Sequence, residues 1–190
     1  MLVLPWFWWS KHLLPAGLGL HLSGACLLVL MFGWPLAIMS LLLVGLGSAL
    51  IDVGMAQHGQ AFQWSQAALA LASRFNDTLV HTVWVGLLPA TLGLGLGMAT
   101  RRWLPRHLFV YILARGFIGT ALAVFISSAL ALWVQHPPDA MTLPDRLLGQ
   151  WLLSWGEAVS TGMLTAVFVA FKPAWLLTYS HERYVPPPAG

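Results

Sequence analysis

Glu157 lies near the middle of an apolar stretch, Gly149–Phe171, that is long enough to cross a bilayer. At helical spacing Gln150, Ser154, Glu157, Thr161 and Thr165 follow at intervals of four, three, four and four residues. They form one stripe that takes in every strongly hydrogen-bonding side chain of the stretch except Ser160, leaving Leu, Val and Phe on the other faces. A lipid-facing carboxylate near mid-membrane would cost at least a few kcal/mol, so the stripe is expected to face other helices or a wet cavity.

Other ionisable residues fall where they can join it. His21 lies in the first turns of a first apolar segment, Asp52 at the end of a second and His81 at the start of a third. Glu157 lies about ten residues, roughly 15 Å, in from the same membrane face. Together they predict a pocket open to one side, with His58 in the adjoining loop. Imidazole and carboxylate suit borderline divalent metals, so a divalent transition-metal ion is the expected ligand. His21, His81 and Glu157 are the candidate metal residues, and Asp52, His58, Cys26 and Arg115 are candidate lining.

Each has a plainer reading. A single His near a helix end often bonds a carbonyl at the interface, His58 reads as a loop residue, and Asp52 marks the water boundary. Glu157 can serve as a protonated packing residue or a partner for a cation. Arg115 is a tempting partner, but its position favours snorkelling to the nearer interface. Cys26 and Met31 suit a soft metal, yet isolated sulfur in apolar helices is usually packing.

Composition sets the class. Of 190 residues 58% are hydrophobic and 8% charged, and the mean hydropathy is +0.77. A soluble domain needs far more charge, so an all-α, polytopic membrane bundle is expected as a single domain. A net charge of +3 with no dense basic run argues against a nucleic-acid partner and leaves the lipid bilayer as the medium. One cysteine excludes an intrachain disulfide. The eleven Trp residues lie mostly near predicted helix ends, as an interfacial belt requires.

About five full spans are predicted, at 17–32, 36–52, 78–98, 108–133 and 149–171, followed by a tail over 172–190. Gly33, Trp34 and Pro35 make the turn of a tight helical hairpin between the first two spans. Residues 53–77 read as a loop carrying a short interfacial helix around Gln66–Phe75. In the third span Pro89 is internal, and Gly93 and Gly97 are spaced for close backbone approach. In the fourth, Gly116, Gly119, Ala123 and Ser127 form a small-residue stripe. The apolar stub Met1–Trp9 is too short to span and lacks a basic start or cleavage site, so it is not a signal peptide. It reads as a lipid-surface anchor or as the end of a helix shortened at its start. Arg101, Arg102, Arg106, Lys172 and Arg183 fall on one side, predicting a cytoplasmic C-terminus.

Nothing suggests an enzyme. No nucleophile sits in a motif context, and the Gly-rich run 93–97 lies inside a membrane helix rather than between strand and helix. No ATPase signature is present, so active transport would need energy from another subunit.

Three blocks, 17–37, 101–123 and 156–185, together resemble the energy-coupling-factor transporter permeases, a divergent branch of the cobalt/nickel substrate-binding membrane components (CbiM/NikM type). The resemblance covers most of the chain from Gly17 to Val185 and is weakest over 53–77. It implies a helical permease of a bacterial inner membrane, with an outside N-terminus, working with a membrane coupling protein and ATPase subunits. In the cobalt/nickel members the metal is held by a Met-His amino end and a His opening a His-Leu-Leu-Gly-like segment. His21, in His-Leu-Ser-Gly, matches the second position, whereas the chain begins Met-Leu-Val and departs from the first. His81 stands where relatives carry an Asn. Relatives also carry one more hydrophobic segment, which Met1–Trp9 would end.

The expected function is therefore uptake of a divalent transition metal. Two other classes fit the same residues. His21 and His81 on neighbouring helices could clamp a haem in an electron-transfer subunit, or the polar stripe could dock a partner helix in a non-transporting scaffold.

Overall fold

The computed structural model describes residues 4–9, 22–56, 64–105, 107–135 and 142–180. The described chain is helical throughout its long elements: α1 (Leu4–Trp9), α2 (Ala25–Ala56), α3 (Trp64–Trp103), α4 (Leu108–Gln135) and α5 (Leu143–Phe171). Four of these, α2 to α5, are long and apolar enough to cross a membrane. The all-α membrane bundle stands, and its span count among the described residues is four rather than five.

The difference lies in α2, which is two helices broken at Gly33 (φ 74°, ψ 170°). The arm over 25–32 is only about 12 Å long, less than half a hydrocarbon core, whereas the arm over 34–56 measures about 35 Å and can cross. The predicted hairpin is present. The Trp8 indole donates to the Ser23 carbonyl at 3.2 Å and packs in one cluster with Leu41. In an unbroken helix those two residues would lie about 27 Å apart, beyond the reach of one indole. Glycine is needed at the break because this positive φ strains any residue with a Cβ.

The stub is not a surface anchor. Leu4 packs against Gly24, Pro5 against Gly47, and the Trp8 ring against Gly86, where a Cβ would stand 2.9 Å from it. Trp8 is fully buried, while Trp6 and Phe7 remain exposed. α1 is thus a wedge between the arms of α2 and the middle of α3.

α3 also departs from expectation. Residues 64–77 are a helix continuous with the third span rather than a loop. No proline or glycine occurs between 64 and 85, and the Ala/Leu run 67–72 favours helix strongly. At about 60 Å, α3 exceeds the bilayer, and its polar first turns are exposed. There Arg74 pairs with Asp52 in an exposed salt bridge, worth at most about 1 kcal/mol.

α4 and α5 close the bundle. Thr142 caps α5, accepting from the Asp145 amide at 3.4 Å and donating to its carboxylate at 2.6 Å. The small residues Gly116, Gly119, Ala123 and Ser127 of α4 are all buried, and Gly116 and Gly162 sit where a Cβ would press on Thr165 and Phe117 across the α4/α5 seam.

The segment after α5 is no loose tail. Through a 3-10 turn at Pro173–Trp175 it returns to the bundle, where Leu176 is buried beside Leu30 and Tyr111. Trp8→Ala, which empties a buried indole site, is expected to destabilise the protein by about 3–5 kcal/mol. A lowered unfolding midpoint in detergent would register it.

Candidate functional site

Glu157 stands midway along α5 and is 3% exposed. Ser154, Thr161 and Thr165 of the predicted stripe are buried with it, whereas Leu152, Val159 and Met163 face outward. The stripe therefore faces the bundle as its spacing demands.

Its carboxylate meets the start of the short arm of α2. The Ser23 amide donates to Oε2 and the Gly24 amide to Oε1, both at 3.0 Å. Gly24, at φ 63°, carries the carbonyl that accepts the first helical bond, from the Leu28 amide. A helix that begins in mid-membrane leaves its first N–H groups without intrahelical acceptors. Where water is scarce each such group costs several kcal/mol. Glu157 supplies acceptor oxygens from another helix at the positive end of the arm's dipole. The Ser23 hydroxyl accepts from the Ala25 amide at 3.2 Å, completing the cap.

The facing part of α3 is also interrupted. Pro89 offers no N–H to the carbonyl one turn before it, and the helix widens to a π-helical turn over Val83–Leu87. Two serines answer the displaced carbonyls. Ser23 Oγ donates to the Val85 carbonyl and Ser127 Oγ to the Trp84 carbonyl, each at 2.6 Å. The Pro89 carbonyl accepts weakly from Cys26 Sγ at 3.6 Å, and that sulfur fills the space left by Gly93. Ser23 thereby joins three elements: its amide to α5, its hydroxyl to α3 and its carbonyl to α1.

The other end of the short arm is met by the chain after α5. Leu177 N–H donates to the Met31 carbonyl at 3.1 Å, and Thr178 donates to the Leu30 carbonyl through its amide and its hydroxyl, at 3.3 and 3.0 Å. The arm is thus capped at both ends by α5 or its extension.

The predicted site residues separate into groups. Glu157 and Cys26 lie at this junction. His81 is one turn before Val85 and packs edge-on against Trp8, ring centroids 5.7 Å apart, so it stands close by on the far side of the indole. His21 and His58 lie outside the described residues. Asp52 does not line the site: it is at the water end of α2 with Arg74. Arg115 does not snorkel. It turns inward, is 8% exposed and lies over the Tyr111 ring at 5.3 Å. Gly93 and Gly97 admit side chains, Cys26 and the Arg115 guanidinium, rather than another backbone. Among the described residues no three His, Cys, Asp or Glu side chains gather as a metal-binding group.

Ser23 and Trp8 escaped the sequence reading, and Ser127 entered it only as a small residue of the α4 stripe. A signal for Ser23 exists: Ser-Gly before an apolar run is a helix-start pattern. Pro89 likewise implies a carbonyl in need of a donor, though not which donor.

No protein-family model, curated protein or solved structure matches the chain.

Glu157→Ala strands two buried amides and is expected to cost at least about 3 kcal/mol, with Glu157→Gln between it and the parent because an amide offers only one acceptor oxygen. Unfolding midpoints in detergent for the three proteins should follow that order.

Proposed function

We propose that the protein is the substrate-binding permease of a transporter for a divalent transition-metal ion, energised by a separate membrane coupling protein and ATPase subunits. The observation that carries this reading is the Glu157 carboxylate clamped on the Ser23 and Gly24 amides. Helices interrupted at mid-membrane, with their ends turned to a polar side chain, are how secondary and coupled transporters build substrate sites in lipid. A packing helix has no need of such a break.

The break lies two residues after His21 and bonds through Ser23 to α3 one turn beyond His81. His21 and His81 are therefore the proposed metal ligands, imidazoles suited to nickel, cobalt or zinc. Glu157 acts on this reading through the backbone it holds and through its charge, which favours a cation nearby. The basic residues Arg101, Arg102 and Lys172 at the opposite end orient the C-terminus to the cytoplasm, so that loading is from outside. The resemblance of the three sequence blocks to energy-coupling-factor permeases supports the same class and supplies the partners.

In cells producing the protein with its coupling subunits, His21→Ala and His81→Ala should each lower cell-associated metal to the level of cells lacking the protein, at unchanged protein abundance. Elemental analysis with an immunoblot reads both quantities. Parental metal content in both variants would reject the assignment.

A further inference from the structure

Arg115 is buried with two of its three guanidinium nitrogens lacking the acceptor each requires. Its Nε and Nη1 are shielded from solvent and have no hydrogen-bond acceptor. Its Nε/Nη2 edge is turned to α3 at Gly97, where a Cβ would be 2.8 Å from Nε and 2.9 Å from Nη2. Tyr111 covers it on the α4 side, and the Tyr111 hydroxyl is bonded to Thr178 Oγ1 at 2.9 Å. A guanidinium carries five N–H donors and no acceptor, so only oxygen-bearing partners can satisfy it. An unpaired buried charge is among the costliest groups a protein can hold. Long side chains this near a membrane surface normally reach out to water. Arg115 is only about 10 Å from the start of α4, yet it turns inward.

The surroundings define what would satisfy it. Glu157 is no candidate: Gly116 packs against Thr165, which places Arg115 about 12 Å along α5 from the carboxylate. At the end of the bundle nearest Arg115 the described charged side chains are Arg101, Arg102 and Lys172, all basic and exposed. Arg101 is one turn beyond Gly97 on the same face of α3. The described acids Asp52, Asp77 and Asp145 lie towards the other end. Exposed apolar side chains, Met98 and Leu104 on one side and Phe109 on the other, flank the same helix ends. A basic ladder running from the surface into an interhelical seam, bordered by lipid-facing residues, is built for a tetrahedral anion at the membrane interface.

We propose that Arg115 is the receptor for a phosphate group that enters the α3/α4 seam from the basic end, with Arg101 at its mouth. The group is supplied by an anionic phospholipid headgroup or by free phosphate. The site is separate from the proposed metal residues and does not depend on that reading.

The test uses the full chain, delipidated in neutral detergent. Its unfolding midpoint is followed with added phosphatidylglycerol, phosphatidylcholine or inorganic phosphate. At about 100 times the dissociation constant the bound form should melt about 5–10 °C higher. A shift with phosphatidylglycerol alone supports the site and names the lipid as source. A shift with inorganic phosphate supports it and names the free anion. Arg115→Met should abolish the shift. Should that variant fail to accumulate, Gly97→Ala, which drives a methyl into the guanidinium, must weaken it. No shift in the parent with either anion overturns the proposal and leaves Arg115 to a carboxylate of another chain. An undiminished shift in Arg115→Met, or in Gly97→Ala if that variant must decide, overturns it as well.

Discussion

Two backbone N–H groups with no helix behind them, held by one carboxylate, set the terms for the rest of the bundle. A chain segment that stops being helical inside lipid must find acceptors and donors at once, because water is not there to supply them. Glu157 answers the amides of residues 23 and 24. Burying the carboxyl group and leaving the amides without acceptors would each be unfavourable alone, and each offsets the other's cost. That reciprocity explains why an ionisable residue is tolerated midway along α5.

Other irregularities follow from the same rule. Gly24, Gly33 and the π-helical turn before Pro89 depart from α-helix on surfaces that meet, and at each break displaced groups bond to a neighbouring element. Ser23 and Ser127 serve α3, the segment after α5 serves the carbonyls of residues 30 and 31, and α1 wedges the short arm against the long one. The π-helical turn begins two residues after His81, so the irregular part of α3 lies within one turn of that imidazole. The short arm is fastened at both ends by the same helix and its extension, so a displacement of α5 would be transmitted to it.

The two buried ionisable side chains are handled differently. Glu157 has two strong donors, whereas the Arg115 guanidinium has an aromatic face and a bare stretch of backbone. A cation–π contact is worth about 2 kcal/mol when desolvated, too little to offset the loss of hydration by itself. The imbalance marks the α3/α4 seam as distinct from the central junction.

The residues by themselves determined the class and much of the layout. Low charge and long apolar runs fix a helical membrane bundle; the spacing of Ser154, Glu157, Thr161 and Thr165 fixes which face of α5 turns inward; Gly33 with Pro35 fixes the hairpin. These are local or one-dimensional properties, set by periodicity and by what each backbone can adopt. Tertiary structure alone decided that the arm before Gly33 is half a span, that the stub at the start is a wedge, and that Glu157 grips backbone. It also turned Arg115 inward where snorkelling was expected, and paired Asp52 with Arg74 away from the site. The reason is common to all of them: each depends on which groups far apart in the chain find one another, and hydrogen-bond demand specifies that a partner must exist without specifying whose it is.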